Sequence, residues 1–114
     1  MVLNTSVEET NDNTAIFTLR GEIDGNTAPR LEIEMSKFAE IENFVIRVNL
    51  SEVTYMDSTG LGVFVGIYKS LFKVNGQLLI EEVPKRLYRL FTITGLDNIM
   101  SINRKEKDDG ADDN

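Results

Sequence analysis

The sequence predicts a single α/β domain with a mixed sheet of four to five strands, an N-terminal hairpin and about three main helices. Short apolar runs typical of strands alternate along the chain with longer runs whose apolar residues recur every three or four positions. Polar and glycine-containing breaks separate these runs. The resulting element order is ββαβαβαβ, in which each strand–helix–strand unit implies a parallel pair.

An N-terminal hairpin is predicted from two alternating runs, Val2–Val7 and Thr14–Arg20. The polar residues 8–13 between them are typical of a turn. Residues 21–26 are then expected to form a loop that leads into the first helix.

The first helix is predicted to begin at a cap formed by Asn26 or Thr27, with Pro29 in its first turn. Its apolar residues recur at intervals of three and four, which places them on one face. The buried stripe predicted in this way comprises Leu31, Met35, Phe38 and Ala39.

The centre of the chain predicts an inner strand at Phe44–Leu50 and a second helix from about Ser58 to Val74. Asn75 and Gly76 end that helix. The apolar face predicted for it comprises Leu61, Phe64, Val65, Tyr68, Leu71 and Phe72.

The last third of the chain predicts a fourth strand at Gln77–Glu82, a third helix that opens at Pro84 and stops at Gly95, and a short edge strand at 99–102. The face predicted for the third helix comprises Leu87, Leu90, Phe91 and Thr94. We therefore place the domain at 1–102 and expect a charged, disordered tail at 103–114.

Composition excludes several functional classes. The formal net charge is −7, which disfavours binding to a phosphate backbone and hence to nucleic acid. The chain has neither histidine nor cysteine, and it lacks nucleotide- and metal-binding motifs, so we expect no enzyme activity, cofactor or metal. It also lacks a signal-peptide pattern and any apolar run near the roughly 18 residues of a membrane span, so a cytoplasmic protein without membrane contact is expected.

The segment Asp57-Ser58-Thr59-Gly60 lies where the second helix should begin. A helix start carries unpaired N–H groups and a positive partial charge. A serine there can cap the helix, and it can also carry a phosphate that those N–H groups tolerate. The sequence leaves both interpretations open.

Glycines continue into this helix at Gly60, Gly62 and Gly66. Each interior glycine costs about 1 kcal/mol relative to alanine, so a compensating role is expected. Close packing of helix against sheet is one such role, and a surface approached closely by a partner is the other. Val63 and Ile67 form an adjacent stripe, for which half coverage with a partner contact and full burial are equally weighted alternatives.

Asp24 lies in the loop after the second strand, between Ile23 and Gly25. Loops at the carboxyl ends of parallel strands gather at one edge of a sheet, which would bring Asp24 near Ser58. An Asx-turn that supports Gly25 is the equally weighted alternative.

Three segments together resemble the bacterial anti-sigma-factor antagonists, also called anti-anti-sigma factors, which consist of a STAS domain. The segments are Gly21-Glu22-Ile23-Asp24 with Thr27-Ala28-Pro29, then Tyr55-Met56-Asp57-Ser58-Thr59-Gly60-Leu61-Gly62-Val63-Phe64, then Leu87 through Phe91 to Thr94-Gly95-Leu96. The resemblance spans about residues 3–102 and looks closer to the general-stress antagonists than to the sporulation ones.

The resemblance implies partner switching in transcription regulation. The unmodified antagonist binds an anti-sigma factor that is itself a serine kinase, phosphorylation at the position of Ser58 ends binding, and a PP2C-type phosphatase restores it. Thr59 is the second candidate for phosphorylation. The expected partner-contact surface comprises Asp24, Asn26, Thr27, Met56, Asp57, Ser58, Thr59, Gly60, Gly62, Val63, Gly66 and Ile67.

Two rival functions remain at this stage. A small-ligand- or nucleotide-binding STAS module, for example a transport accessory, would need a pocket with convergent polar groups. A phospho-aspartate receiver domain would use Asp57, which follows a central strand, but the acids expected after the first strand are missing except for Asp12.

Overall fold

The computed structural model describes residues 2–106, and its elements follow the predicted order of strands and helices. One short 3₁₀ turn precedes the last strand. The elements are β1 (Leu3–Glu9), β2 (Thr14–Ile23), α1 (Ala28–Ala39), β3 (Val45–Met56), α2 (Ser58–Lys73), β4 (Gln77–Val83), α3 (Lys85–Ile93), the 3₁₀ turn (Leu96–Asn98) and β5 (Ser101–Arg104).

The five strands form one mixed sheet in the order β1-β2-β3-β4-β5. β1 is antiparallel to β2, and the other neighbours are parallel. Because every crossover steps in the same direction and such connections are right-handed, the helices share one face of the sheet. Burial agrees, since Phe17 and Leu19 of β2 are buried and Thr18 between them is exposed.

The hydrophobic core fills the space between that sheet face and the helices. Phe17, Phe64 and Phe91 are its largest fully buried side chains and come from a strand and two helices. Phe38 of α1 joins them, with its ring edge-on to Phe17 at 5.9 Å and stacked on Phe44 at 5.2 Å. The core therefore ties α1 to two neighbouring parts of the sheet.

β2 and β3 are both longer than predicted. The segment predicted as a loop from residue 21 continues β2 to Ile23, and β3 runs to Met56 instead of ending at Leu50. Register shifts between Thr18 and Arg20, and again after Gly21, interrupt the simple alternation on which the prediction rested. At Gly21 φ is +120°, and a side chain there would collide with the carbonyl oxygen of Val2.

One expectation for α2 is wrong. Phe72 was placed on the buried face, but it is 70% exposed and rests on the ring of Tyr68 at 6.0 Å. Leu71 is buried, and one further residue turns the side chain about 100° around the helix. For Val63 and Ile67, burial is the alternative that the structure has, since they are only 5% and 3% exposed in a helix that packs against α1 as well as the sheet.

The helix starts and the C-terminal end refine the prediction. Thr27 occupies the N-cap position of α1, and Pro84 occupies that of α3. β5 lies two residues later than predicted, and the N–H of Lys105 donates to the carbonyl of Val83 at 2.9 Å. The strand thus extends past the boundary predicted at residue 102. Residues 107–114 of the tail predicted at 103–114 lie outside the described residues.

Within residues 2–106, no helix has both the length and the apolar character needed to cross a membrane.

Phe64 and Phe72 give a matched test of this packing on a single helix. We expect Phe64→Ala to lower the free energy of unfolding by about 3–5 kcal/mol, because it empties a fully buried site. Phe72→Ala should cost no more than about 1 kcal/mol, since it removes only an exposed ring stack. Chemical denaturation of both variants measures this, and equal losses would contradict the described orientation of α2.

Candidate functional site

The carboxyl ends of β2 and β3 bring the two sequence-predicted loops together. Ile23 pairs with Met56 in the parallel register, so Asp24 and Asp57 follow at the same edge of the sheet. The N–H of Asp57 donates to the carbonyl of Ile23 at 3.2 Å and joins the loops directly. The expectation of a shared edge is therefore met.

Asp57, rather than Ser58, caps α2. Its Oδ1 accepts the N–H groups of Thr59 at 3.0 Å and Gly60 at 3.1 Å, and its carbonyl accepts that of Leu61 at 3.0 Å. Asp57 has the extended backbone typical of an N-cap, with φ −110° and ψ −172°. Ser58 is then the first helical residue and is exposed, so its hydroxyl is not needed to start the helix.

Gly60 is required by the close approach of the two loops. A Cβ atom there would lie 2.8 Å from both Ile23 Cγ2 and Met56 Cγ, and 2.9 Å from the carbonyl oxygen of Ile23. Gly60 and Met56 are both buried. Both were predicted as partner contacts, and the structure places them beneath the exposed residues of this edge.

Gly62 and Gly66 have no such structural requirement. A Cβ atom at either position would meet nothing within 4 Å, so close packing of helix against sheet does not explain these glycines. Gly62 is exposed and Gly66 is half-buried. With Ser58 they recur every four residues along α2, which places all three on one side of the helix. We call Ser58, Gly62 and Gly66 the glycine stripe.

Asp24 is held within its own loop. The side chain is only 6% exposed, and its Oδ1 accepts the N–H groups of Asn26 at 2.9 Å and Thr27 at 3.0 Å. Burial by itself raises the pKa of Asp24, but these hydrogen bonds outweigh it and the pKa lies below its ordinary value. Thr27 completes the turn, because its hydroxyl donates to the carbonyl of Glu22 at 2.8 Å. The Asx-turn interpretation is therefore correct.

Two exposed residues at this edge, Gly25 and Tyr55, were not among the predicted partner contacts. Tyr55 immediately precedes the buried Met56, and its ring turns to the other face of the sheet. Val53 is buried although it lies two residues before Tyr55, because Thr54 is an extra residue in the pairing with β2, and regular alternation in the sequence does not reveal this bulge. Asn26 and Thr59, which were predicted, are exposed as expected.

A cleft of about 460 Å³ lies beside the Asp24 loop, between the start of β1 and the first turns of α1. Arg30 and Glu34 face each other across 3.7 Å at its wall. The lining residues are Val2, Leu3, Asn4, Thr5, Asn26, Thr27, Arg30, Leu31 and Glu34.

The edge offers an exposed hydroxyl among carboxylates that are already hydrogen-bonded to the backbone. In the described part of the chain, residues 2–106, no three acidic, cysteine or histidine side chains lie close enough together to hold a metal ion. The receiver-domain alternative loses support here, because the Asp57 carboxylate serves as a helix cap. The arrangement suits Ser58 as a residue to be modified and Gly62 as a surface to be contacted.

A family model described as the STAS domain matches residues 5–108. The chain belongs to the STAS domain family. It is 46% identical over 99 residues to the anti-sigma-B factor antagonist of Listeria monocytogenes, covering 87% of this chain and 86% of that protein. The same-named protein of Bacillus subtilis is 43% identical, with 94% and 96% covered.

A solved structure has the same fold. The crystal structure of an anti-sigma factor antagonist from Mycobacterium paratuberculosis superimposes with a TM-score of 0.78 at 27% identity, covering 90% of this chain and 86% of that one. The resemblance noted in the sequence is thus confirmed at the level of the STAS family and its antagonist members.

Replacing Asp24 with alanine should lower the stability of this STAS domain at neutral pH, because two loop N–H groups lose their acceptor. Since the pKa of Asp24 is lowered from 3.8 on folding, its contribution is fully present above that value and is lost as the pH falls through the folded pKa. In urea denaturation at successive pH values, the gap between wild type and Asp24→Ala should therefore narrow on acidification.

Ile33→Ala, which changes an exposed side chain of α1 that carries no titratable group, is the control, and its effect on stability should not change with pH. A constant gap for Asp24→Ala across the acid range would mean that the charge of Asp24 does not hold the turn.

Proposed function

We propose that this STAS domain is an anti-sigma-factor antagonist that works by partner switching. Its unphosphorylated form binds an anti-sigma factor and so frees the sigma factor, and phosphorylation of Ser58 ends that binding. The main observation in support is that Ser58 is exposed at the first position of α2, whereas Asp57 caps the helix. The names of the relatives, anti-sigma-B factor antagonists, support both the partner class and the general-stress type.

The partner surface that we propose centres on the glycine stripe. Gly62 and Gly66 leave a track without side chains along α2, next to the Ser58 hydroxyl, on which another backbone can lie closely. Thr59, which follows Ser58, and Asn26, in the Asp24 loop at the same edge of the sheet, are exposed as well. Five residues of the set predicted from sequence are buried. Of these, Met56, Gly60, Val63 and Ile67 would act by holding this surface in place, and Asp24 acts through its turn.

Asp24, Thr27 and Asp57 would contribute by fixing the two turns. Each already has hydrogen bonds within its loop. Their side chains are therefore pre-organised, which reduces the entropy lost when a partner binds. A partner would meet two rigid turns and a helix start.

The electrostatics of the edge explain how a phosphate would act as a switch. Phosphorylation adds about −1.5 to −2 charges at pH 7. In a protein of net charge −7, and directly beside Asp57, a further dianion would be buried in the interface at a large cost. A penalty of about 3 kcal/mol already weakens binding about 100-fold, so no change of fold is needed.

The same proposal specifies the enzymes that add and remove the phosphate. The anti-sigma factor would be a serine kinase that phosphorylates Ser58, and a PP2C-type phosphatase would remove the phosphate. These steps would take place in the cytoplasm, where transcription occurs, and the antagonist itself would be a binding protein without enzyme activity. The small-ligand alternative is not favoured, because the relatives across most of the chain are named as antagonists.

Ser58 variants test the switch. Ser58→Ala should bind the anti-sigma factor but resist inactivation by ATP, whereas Ser58→Asp should fold and bind at least about 10-fold more weakly, because it places a charge in the interface. Calorimetric titration measures binding, and intact mass with site mapping locates the phosphate. Thr59→Ala is the matched control and should still be inactivated. Tight binding by the phosphorylated wild type would refute the switch.

Substitution of Gly62 or Gly66 by alanine should affect the stability of the domain and its binding to the anti-sigma factor in opposite directions. Each substitution should raise the free energy of unfolding by up to about 1 kcal/mol, since alanine favours the helix and meets no clash. Each should also weaken binding to the anti-sigma factor by filling the glycine stripe. Denaturation and titration of the same samples measure the two effects.

Two controls flank that experiment. Thr18→Ala changes an exposed position on the sheet face opposite the helices and should leave binding unchanged. Gly60→Ala should instead destabilise the fold, because its Cβ would collide with Ile23 and Met56. Unchanged binding by Gly62→Ala and Gly66→Ala together would remove this stripe from the proposed interface.

A further inference from the structure

The first turn of α2 has its hydrogen bonds in place before any phosphate is attached. The two N–H groups that follow Ser58, those of Thr59 and Gly60, both donate to Asp57 Oδ1. The next, that of Leu61, donates to the carbonyl of Asp57. Two of the donors that make a helix start attractive to an anion, the N–H groups of Thr59 and Gly60, are therefore occupied by a carboxylate.

The backbone position of Ser58 also prevents its side chain from reaching these N–H groups. An N-cap residue has extended backbone, which turns its side chain back onto the N–H groups of the second and third helical residues. Asp57 has that geometry, whereas Ser58 is already helical and exposed. A group attached to Ser58 extends from the helix surface into solvent.

The turn itself resists rearrangement. The N–H of Asp57 is bonded to the carbonyl of Ile23, and Gly60 lies so close to Ile23 and Met56 that not even a Cβ atom fits. Displacing Asp57 would leave its carboxylate beside the incoming dianion without a partner. Two anions would then compete for one set of donors in a segment that cannot move aside.

From this geometry we infer that Asp57 is a positioning residue of the switch, which keeps the phosphate of phosphorylated Ser58 off the helix N-terminus and turned outward. This inference rests on the proposed function, because it specifies how the modified residue acts. The helix start then does not neutralise the phosphate. Its full charge is presented to an approaching partner, and it stays accessible for removal.

The test uses the full chain with phosphoserine encoded genetically at position 58, so that no kinase is involved. Phosphorus NMR follows the second ionisation of the phosphate, whose ordinary pKa is about 6, in the folded protein and in the same protein unfolded in urea. In the wild type the folded value should lie above the unfolded one, because Asp57 disfavours the dianion and retains the donors.

Two substitutions distinguish the effect of the Asp57 charge from the effect of its hydrogen bonds to the N–H groups of Thr59 and Gly60. Asp57→Asn keeps a capping oxygen but removes the charge, so the folded pKa should fall below that of the wild type. Asp57→Ala frees the N–H groups of Thr59 and Gly60 to bind the phosphate, so its folded pKa should be the lowest of the three. The amide proton signals of Thr59 and Gly60 should move downfield on phosphorylation only in Asp57→Ala.

One result overturns the inference: a wild-type phosphate whose pKa drops on folding, with downfield shifts of the Thr59 and Gly60 amide protons. If Asp57→Ala does not fold, the wild-type phosphate pKa and the wild-type amide shifts of Thr59 and Gly60 still decide, because they need no variant. A kinase that fails to modify Ser58 would refute the proposed function but leave these measurements, and their interpretation, unchanged.

Discussion

The candidate site depends on the parallel pairing of the last residues of β2 and β3. Ile23 and Met56 lie opposite each other, and the carbonyl of Ile23 then accepts the N–H of Asp57. This single hydrogen bond fixes the start of α2 relative to the Asp24 loop. Gly60 makes the approach possible by having no side chain, so any larger residue there would separate the two turns. The surface that a partner would meet is a consequence of this contact.

Two kinds of glycine occur within one short stretch of α2, one required by the fold and the other not. Gly60 is enclosed by Ile23 and Met56 and serves the fold. Gly62 and Gly66 face open space and carry a cost in helix stability that no packing contact within residues 2–106 offsets. A cost without an internal reason is most simply explained by a use outside the chain, and this is why the glycine stripe weighs more in the functional argument than the buried apolar face.

Much of this fold could be predicted from local patterns. The order of elements follows from apolar periodicity, and the start of α2 follows from a cluster of capping residues ahead of an apolar run. Local patterns did not reveal which of Asp57 and Ser58 forms the cap, because both types favour that position. The choice depends on Asp57 being held in extended conformation by Ile23, which is a contact between distant parts of the chain.

The remaining errors have the same origin. Bulges in the pairing of β2 with β3 disturb the alternation near Gly21, so both strands were predicted too short. For Val63 and Ile67 the sequence left half coverage and burial open because a helical wheel shows one apolar face, whereas α2 packs on both the sheet and α1. Packing between elements, which periodicity does not encode, decided each of these cases.

The start of β1 brings the beginning of the chain to the rim of the candidate site. The carbonyl of Val2 accepts the N–H of Glu22 at 2.9 Å, two residues before Asp24, and Val2 also lines the adjoining cleft. A purification tag or fusion partner placed ahead of Val2 would therefore emerge next to the Asp24 loop. Binding assays on such a fusion would risk reporting the obstruction by the added sequence in place of the behaviour of the domain.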